Sequence, residues 1–268
     1  MALPYDYHMH TPLCHHASGE PVEYAQHAVS LGLKEIGFSE HAPMGTEDYD
    51  DWHMAYDKID EYLGKIETAR NQFPQLSIKA GLEVDFLPGH EPWINGLASL
   101  HTWDYFIGSV HYITDSWDFD NPKKMDEWHS RDPWDVWKEY FNRLTQAASS
   151  GLFQTIGHPD LCKKFAIIPE GDTSSLYLPF LEAVKENDLA IELNTAGNHK
   201  DCKEIYPHPD ILKAAASMNI PLSFASDAHA PTEVGRDWDQ AMALAVETGF
   251  THFCQFNRRE RSLIPLIG

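Results

Sequence analysis

Short apolar segments alternate with longer amphipathic ones along almost the whole chain, and few folds tolerate that pattern. The candidate strands are Tyr5–His10, Glu35–Ser39, Ser77–Asp85, Tyr105–His111, Gln154–His158, Ala190–Asn194 and Leu222–Ser226, with a weaker eighth over Phe250–Phe256. Between them, apolar residues at helical spacing predict helices over Pro21–Leu31, Ala55–Gln72, Pro133–Ser150, Ser175–Asn187, Pro209–Met218 and Glu233–Thr248. Gly32, Gly151 and Gly249 follow last helical turns, where a left-handed residue closes a helix. Strand–helix alternation implies parallel strands joined by crossover helices. Seven or eight such units within 268 residues fit a closed α/β barrel better than an open doubly wound sheet, and one domain better than two. The stretch Asp115–Asp132, rich in Trp, Asp and Pro, reads as a long loop over one barrel end.

Three smaller features read blandly. Glu47, Asp48, Asp50 and Asp51 make an acidic, solvated loop. Trp128, Trp134 and Trp137 pack the helix beginning near Pro133, and Arg258-Arg259-Glu260-Arg261 suggests a helix end near the C-terminus.

Charge excludes some partners. Twenty Lys and Arg against 41 Asp and Glu leave −21, whereas binding to nucleic acid or an anionic membrane starts from a basic face. No apolar run approaches the roughly 18 residues that span a bilayer, and the first residues lack the basic and apolar regions of a signal peptide. Four cysteines without a Cys-x-x-Cys pair suggest reduced thiols in the cytoplasm. The composition also holds 16 histidines, an excess that hints at metal.

Their positions matter more than their number. Nearly every candidate strand ends in a residue able to ligate metal: His8 and His10, His41, Glu83, His111, His158, and Asp227 with His229. In an α/β barrel such ends converge on one mouth. His8 and His10 lie two apart on a strand and so face the same way.

In order, His8-Met9-His10-Thr11, Ser39-Glu40-His41, Gly81-Leu82-Glu83, Gly108-Ser109-Val110-His111, Gly157-His158-Pro159 and Ser226-Asp227-Ala228-His229 resemble the motifs of the polymerase and histidinol phosphatase (PHP) superfamily. Trp117-Asp118-Phe119-Asp120-Asn121-Pro122, Asp160-Leu161, Asn194-Thr195-Ala196-Gly197, Glu204-Ile205-Tyr206-Pro207 and Ala230-Pro231 are similar to its histidinol-phosphate phosphatase branch. The resemblance covers nearly the whole chain. It implies a single domain over residues 1–268: an α/β, distorted (β/α)7 TIM-like barrel with the active site at the C-terminal strand ends. It also implies three divalent metal ions. His8, His10, Glu83 and Asp227 would hold the first, Glu83 with His111 and His158 the second, and His16, His41 and His229 the third. His15 and His16 are adjacent, and the family spacing from His10 selects His16. Zinc is the default for so many imidazoles, with iron or manganese as alternatives.

The implied activity is hydrolysis of L-histidinol phosphate to L-histidinol and phosphate in histidine biosynthesis. Metal binding lowers the pKa of water towards about 7, so no Ser or Cys nucleophile is required. Neither a Gly-x-Ser-x-Gly elbow nor a P-loop occurs. Glu83 and Asp227 are the candidate catalytic carboxylates, with Asp160 as an acid or orienting group. His199, Trp117, Asp118, Phe119 and Lys163 are candidate substrate contacts. A phosphodiesterase or nuclease, another small-molecule phosphomonoesterase, or a silent metal-binding module are the competing readings. Three divalent ions less the charges of Glu83 and Asp227 leave about +4, so an acidic chain can present a cationic mouth to phosphate.

Overall fold

Six strands form one curled parallel sheet in the computed structural model, which describes residues 5–46, 49–114 and 116–266. In chain order the elements are α1 (Pro21–Leu31), β1 (Glu35–His41), α2 (Ile59–Gln72), β2 (Ser77–Asp85), α3 (Glu91–Leu100), β3 (Tyr105–Ser109), β4 (Tyr112–Thr114), β5 (Trp117–Asp118), α4 (Met125–His129), α5 (Pro133–Ser149), β6 (Thr155–Ile156), α6 (Ser174–Glu186), β7 (Ala190–Asn194), α7 (Pro209–Ser217), β8 (Leu222–Ala225), α8 (Trp238–Thr248), β9 (His252–Asn257) and β10 (Glu260–Pro265). The parallel sheet runs β1-β2-β3-β6-β7-β8, and β4-β5 and β9-β10 form separate two-stranded pairs. Each parallel step needs a crossover, which the helices supply.

Local chemistry explains the helix ends. Pro21 opens α1 behind a reciprocal cap between Glu20 and Glu23, and Gly32 closes it at φ +82°. Asp132 accepts from the Trp134 backbone at the start of α5. Two expected starts move. Tyr56–Lys58 is a tighter 3-10 turn, so α2 begins at Ile59, and α8 begins at Trp238 after left-handed Gly235 and Asp237.

Side chains fill the interior, and close approach makes glycine necessary there. The Tyr105 hydroxyl donates to the Tyr7 carbonyl at 2.6 Å across the inside of the sheet. A Cβ at Gly37 would stand 2.3 Å from that hydroxyl oxygen, and one at Gly81 2.7 Å from the Tyr105 carbonyl oxygen.

Several strand expectations change. Tyr5–His10 is not a regular strand. It makes isolated parallel bridges from Asp6 to both Ile36 and Phe224, and from Met9 to Ala228. Its backbone is nevertheless bonded on both sides: Gly37 donates to Asp6 and Ser39 to Met9, while Tyr7 and His10 donate to Phe224 and Ala228. The Tyr105–His111 segment leaves the sheet after Ser109, because the His111 N–H is taken by the Asp85 carboxylate at 2.9 Å. The fifth expected strand, Gln154–His158, pairs only over Thr155–Ile156, since the His158 N–H goes to Glu192.

The Phe250–Phe256 segment is not a barrel strand. It becomes β9, antiparallel to β10, and Arg258-Arg259 is their two-residue left-handed turn rather than a helix end. Cys254 and Phe256 pack on Tyr7, Tyr105, Ile107 and Ala190. Tyr105 and Ala190 begin their strands, so this hairpin plugs the N-terminal end of the sheet.

The loop over Asp115–Asp132 contains β5 and α4, with Asp115 itself outside the described residues, as are Glu47 and Asp48 of the acidic run. Trp128 belongs to α4 and is buried against Trp117 and Phe119, while Trp137 is buried within α5. Among the described residues no helix is long and apolar enough to cross a membrane. All four cysteines are free.

Candidate metal centre

The end of the sheet opposite the hairpin gathers the titratable side chains. His41 ends β1, Glu83 lies near the end of β2, and His111, His158, Asp227 and His229 follow β3, β6 and β8. His8 and His10 reach the same place from the 5–10 segment. Glu83 stands at the centre. Its Oε2 is 3.2 Å from His8 Nε2, 3.6 Å from His10 Nε2 and 2.9 Å from His41 Nδ1. Its Oε1 is 2.9 Å from His158 Nε2 and 3.6 Å from His111 Nε2. Asp227 Oδ1 lies 3.3 Å from His10 Nε2, 3.8 Å from His8 Nε2 and 3.6 Å from His229 Nδ1. His229 Nε2 is 3.1 Å from His16 Nε2, so all nine candidate ligands form one connected cluster.

The proton inventory shows what the cluster lacks. His8 Nδ1 faces the Glu192 carboxylate at 3.0 Å, His10 Nδ1 faces Glu40 at 3.2 Å and His111 Nδ1 faces Asp85 at 2.9 Å. His16 and His229 turn Nδ1 to the carbonyls of Cys14 and Asp227. These acceptors fix the proton on Nδ1 and leave Nε2 as a lone pair aimed inward. Two lone pairs then oppose each other between His16 and His229, and others oppose carboxylate oxygens. His8 Nε2, His10 Nε2, His41 Nδ1 and Glu83 Oε2 are buried without a hydrogen-bond partner. Buried acceptors without donors are costly, and a divalent cation between them removes the cost. Triads drawn from this set, such as His8–Glu83–His158, His8–His10–Asp227 and His10–His41–His229, place their donor atoms within 4.8 Å of one another. The residues fit metal.

Electrostatics agree. Burial pushes His41 and His229 well below the ordinary imidazole value, which keeps them neutral as a ligand must be. Burial also opposes ionisation of Glu83 and Asp227, but the surrounding imidazoles hold both carboxyls well below their usual range. Burial lowers His10 and His111 as well; their carboxylate neighbours outweigh it and lift them to about 9 and about 10. The cluster demands positive charge. His158 and Asp227 also sit at positive φ, a backbone strain typical of functional sites.

A cavity of about 670 Å³ opens over the cluster. His199, half-exposed, lines it and holds its Nε2 2.8 Å from Asp237. Asp118 lines it too, engaged by Lys124 and Asn121. His15 also reaches the cavity, beside His16.

Other expected contacts do not reach it. Trp117 and Phe119 are 2% and 1% exposed and belong to the core. Lys163 is buried, because the 3-10 turn Leu161–Lys163 swings it away: its Nζ meets Asp160 at 2.9 Å, Glu204 at 2.6 Å and the Ile205 carbonyl at 2.9 Å. Asp160, its partner, lines a separate cavity of about 300 Å³. Lys164, one residue on, lines the main cavity and donates to Asp120 at 2.9 Å.

Sequence reading passed over Glu40, Asp85 and Glu192, the carboxylates behind the imidazoles. Glu40 and Asp85 adjoin motif residues, and Glu192 is a charge inside an otherwise apolar strand, which was the available signal. It also passed over Asp50 and Trp52. Asp50 accepts from His53 and Tyr112 instead of facing solvent, and Trp52 lines the cavity.

Known proteins share this arrangement's sequence and fold. The PHP domain family matches residues 6–196. A "Probable histidinol-phosphatase" of Deinococcus radiodurans is 42% identical over 231 residues, 86% of this chain and 88% of that one. A "Histidinol-phosphatase" of Bacillus subtilis is 32% identical, covering 86% of this chain and 95% of its own. In fold, a crystal structure of histidinol phosphate phosphatase from Lactococcus lactis, complexed with Zn, L-histidinol and phosphate, superposes with TM-score 0.81 at 21% identity, over 97% of this chain and 98% of that one. With a family match over more than half its length and relatives this similar across most of it, the chain belongs to the PHP domain family.

Proposed function

We propose that this protein is a histidinol-phosphatase, a phosphoric monoester hydrolase that converts L-histidinol phosphate to L-histidinol and inorganic phosphate in histidine biosynthesis. The two relatives bearing that name support the substrate. The observation that carries the chemistry is one buried carboxylate, Glu83, facing five imidazoles within 3.6 Å and left with an unpartnered oxygen. We assign His8, His10, Glu83 and Asp227 to a first divalent ion, Glu83, His111 and His158 to a second, and His16, His41 and His229 to a third. Imidazole and carboxylate donors suit zinc, with iron and manganese as alternatives.

Ions bound there lower the pKa of water towards neutrality and offset phosphate charge. The chain's own residues do the positioning. Glu192, Glu40 and Asp85 hold the Nδ1 protons and keep the ligand lone pairs inward. Lys200, Arg236 and His199 line the mouth and offer donors to phosphate oxygens, with His199 oriented by Asp237. Asp51, Asp118 and Asp120 offer carboxylates to a cationic leaving group.

We count residues 5–10 as the seventh stave of a distorted (β/α)7 barrel, because their backbone bonds to β1 on one side and to Phe224 and Ala228 on the other. We read residues 1–268 as one domain of this kind, working in the cytoplasm. The test measures, with metal-loaded protein, phosphate release from L-histidinol phosphate, phenol release from a bis-aryl phosphodiester and chain cleavage of single-stranded DNA. The monoester is expected to be strongly preferred, with His10→Ala and Glu83→Ala inactive and depleted of metal. Equal or better turnover of the diesters overturns this reading.

A further inference from the structure

A pocket for histidinol phosphate needs more than a phosphate clamp, because the leaving group carries an ammonium and an imidazole ring. Such a group calls for an aromatic face, since cations gain most over the indole of tryptophan. With Trp117 and Phe119 buried in the core, the cavity keeps two aromatic side chains besides its histidines: Trp52 and Tyr206. Tyr206 is wholly buried, whereas Trp52 is partly exposed and sits beside exposed Asp51 at the rim.

Trp52 is also unusually well held for a loop residue. Its ring is stacked on His53 at 3.8 Å and lies nearly parallel to Tyr112, at 9° and 5.9 Å. It meets His41 and His111 edge-on at 4.7 and 5.3 Å, so it stands directly against the candidate ligands. His53 fastens it from behind. Its Nε2 is 3.0 Å from Asp85 Oδ2, the carboxylate that also holds His111, and its Nδ1 is 2.6 Å from Asp50. Asp50 in turn accepts the backbone N–H groups of Trp52 and His53 at 3.1 and 2.9 Å. A ladder of buried and part-buried hydrogen bonds thus ties the indole to the same carboxylate that orients a ligand imidazole.

We propose that Trp52 is the wall that selects the leaving group: its indole receives the cationic imidazole-and-ammonium end of the substrate, and the Asp85–His53–Asp50 ladder holds that wall in register with the phosphate site. This rests on the histidinol-phosphatase reading. Asp51 adds a carboxylate beside the ring. The ligand class is a small phosphate monoester whose alcohol bears a heteroaromatic ring and an ammonium. His53 is a positioning residue: it backs the Trp52 ring and shares the Asp85 carboxylate with His111.

The test uses metal-loaded full-length protein in two arms. In the first, kcat/KM is compared for L-histidinol phosphate and glycerol phosphate, whose alcohol has neither ring nor cation. Trp52→Ala is expected to lower the ratio of the two by about tenfold, mainly through KM, with metal content retained; Trp52→Phe restores part of it. His53→Ala is expected to shift the same ratio in the same direction. If Trp52→Ala does not fold, Trp52→Leu keeps the bulk without the ring. In the second arm, calorimetry measures binding of L-histidinol, expected to weaken about tenfold in the same variants. An unchanged ratio with unchanged L-histidinol binding overturns the proposal. Absence of wild-type turnover with Trp52-dependent binding of L-histidinol overturns the phosphatase reading and leaves the wall standing.

Discussion

At the level of single residues, the chain announces its chemistry through placement. Histidines and carboxylates at the ends of otherwise apolar strands have no packing purpose, and the structure places eight of them, joined by His16 from a loop, in one connected cluster. The residues that set their protons were harder to read. Glu192 hides in a strand whose neighbours are apolar, and nothing in the sequence says which imidazole it will meet 184 positions away. Glu192 touches His8 Nδ1 and the His158 N–H, so it orients two candidate ligands at once. Glu192→Gln keeps the shape and removes the charge. Metal affinity measured by chelator competition is expected to fall about 10- to 100-fold, with the fold retained. Affinity equal to wild type would mean that the carboxylate is only a structural partner. Lys163 shows the opposite limit. From sequence it is a cation next to a motif, and only the 3-10 turn after His158 decides that Lys164 rather than Lys163 reaches the cavity.

Among elements, regular strands and capped helices were legible and departures from regularity were not. Ser77–Asp85 and Ala190–Asn194 have the bounds that apolar patterning predicts, and Pro21–Leu31 is framed by proline and glycine. The 5–10 segment, the break after Ser109 and the β9-β10 hairpin depend on partners far away in sequence, which local pattern cannot supply. α3 escaped because its ten residues include Asn95 and Gly96, which weaken a helical signal. Two predictions belong here. Gly81→Ala on β2 forces a Cβ against the Tyr105 backbone, and is expected to cost about 1–3 kcal/mol in denaturant unfolding. Wild-type stability would mean that β3 can yield. The second concerns the loop bearing Trp52. Burial pushes the Asp50 carboxyl up, yet hydrogen bonds from His53 and Tyr112 outweigh it and hold the group well below the usual range. A depressed folded value stabilises fully above the unfolded pKa of about 3.9, and that stability is lost progressively as pH falls from there through the folded value. Asp50→Asn is therefore expected to lower stability by about 1 kcal/mol at neutral pH, with the gap narrowing progressively in acid as pH falls below about 3.9 towards the folded value, by urea midpoints. A gap that persists in acid would place the effect elsewhere.

For the whole molecule, the acidic total of −21 describes the surface poorly as a guide to the site, where buried carboxylates are surrounded by imidazoles. If cations bind only the folded state, at hundredfold excess they add about 2.7 kcal/mol of stability. Exhaustive chelation is then expected to lower the Tm by about 5–10 °C and to abolish phosphate release, both restored by zinc. A Tm indifferent to chelator would argue against resident metal. Residues 5–10 bond to β1 on one side and to Phe224 and Ala228 on the other, partners far apart in sequence; the Asp6 carboxylate accepts the Ser226 N–H across 220 positions. Translation therefore delivers His8 and His10 long before Asp227 and His229. Until Asp227 and His229 have left the ribosome, His8 and His10 lack those partners, and a nascent chain holds at most part of the cluster. On the metal-centre reading proposed above, loading is therefore completed only after Asp227 and His229 have emerged.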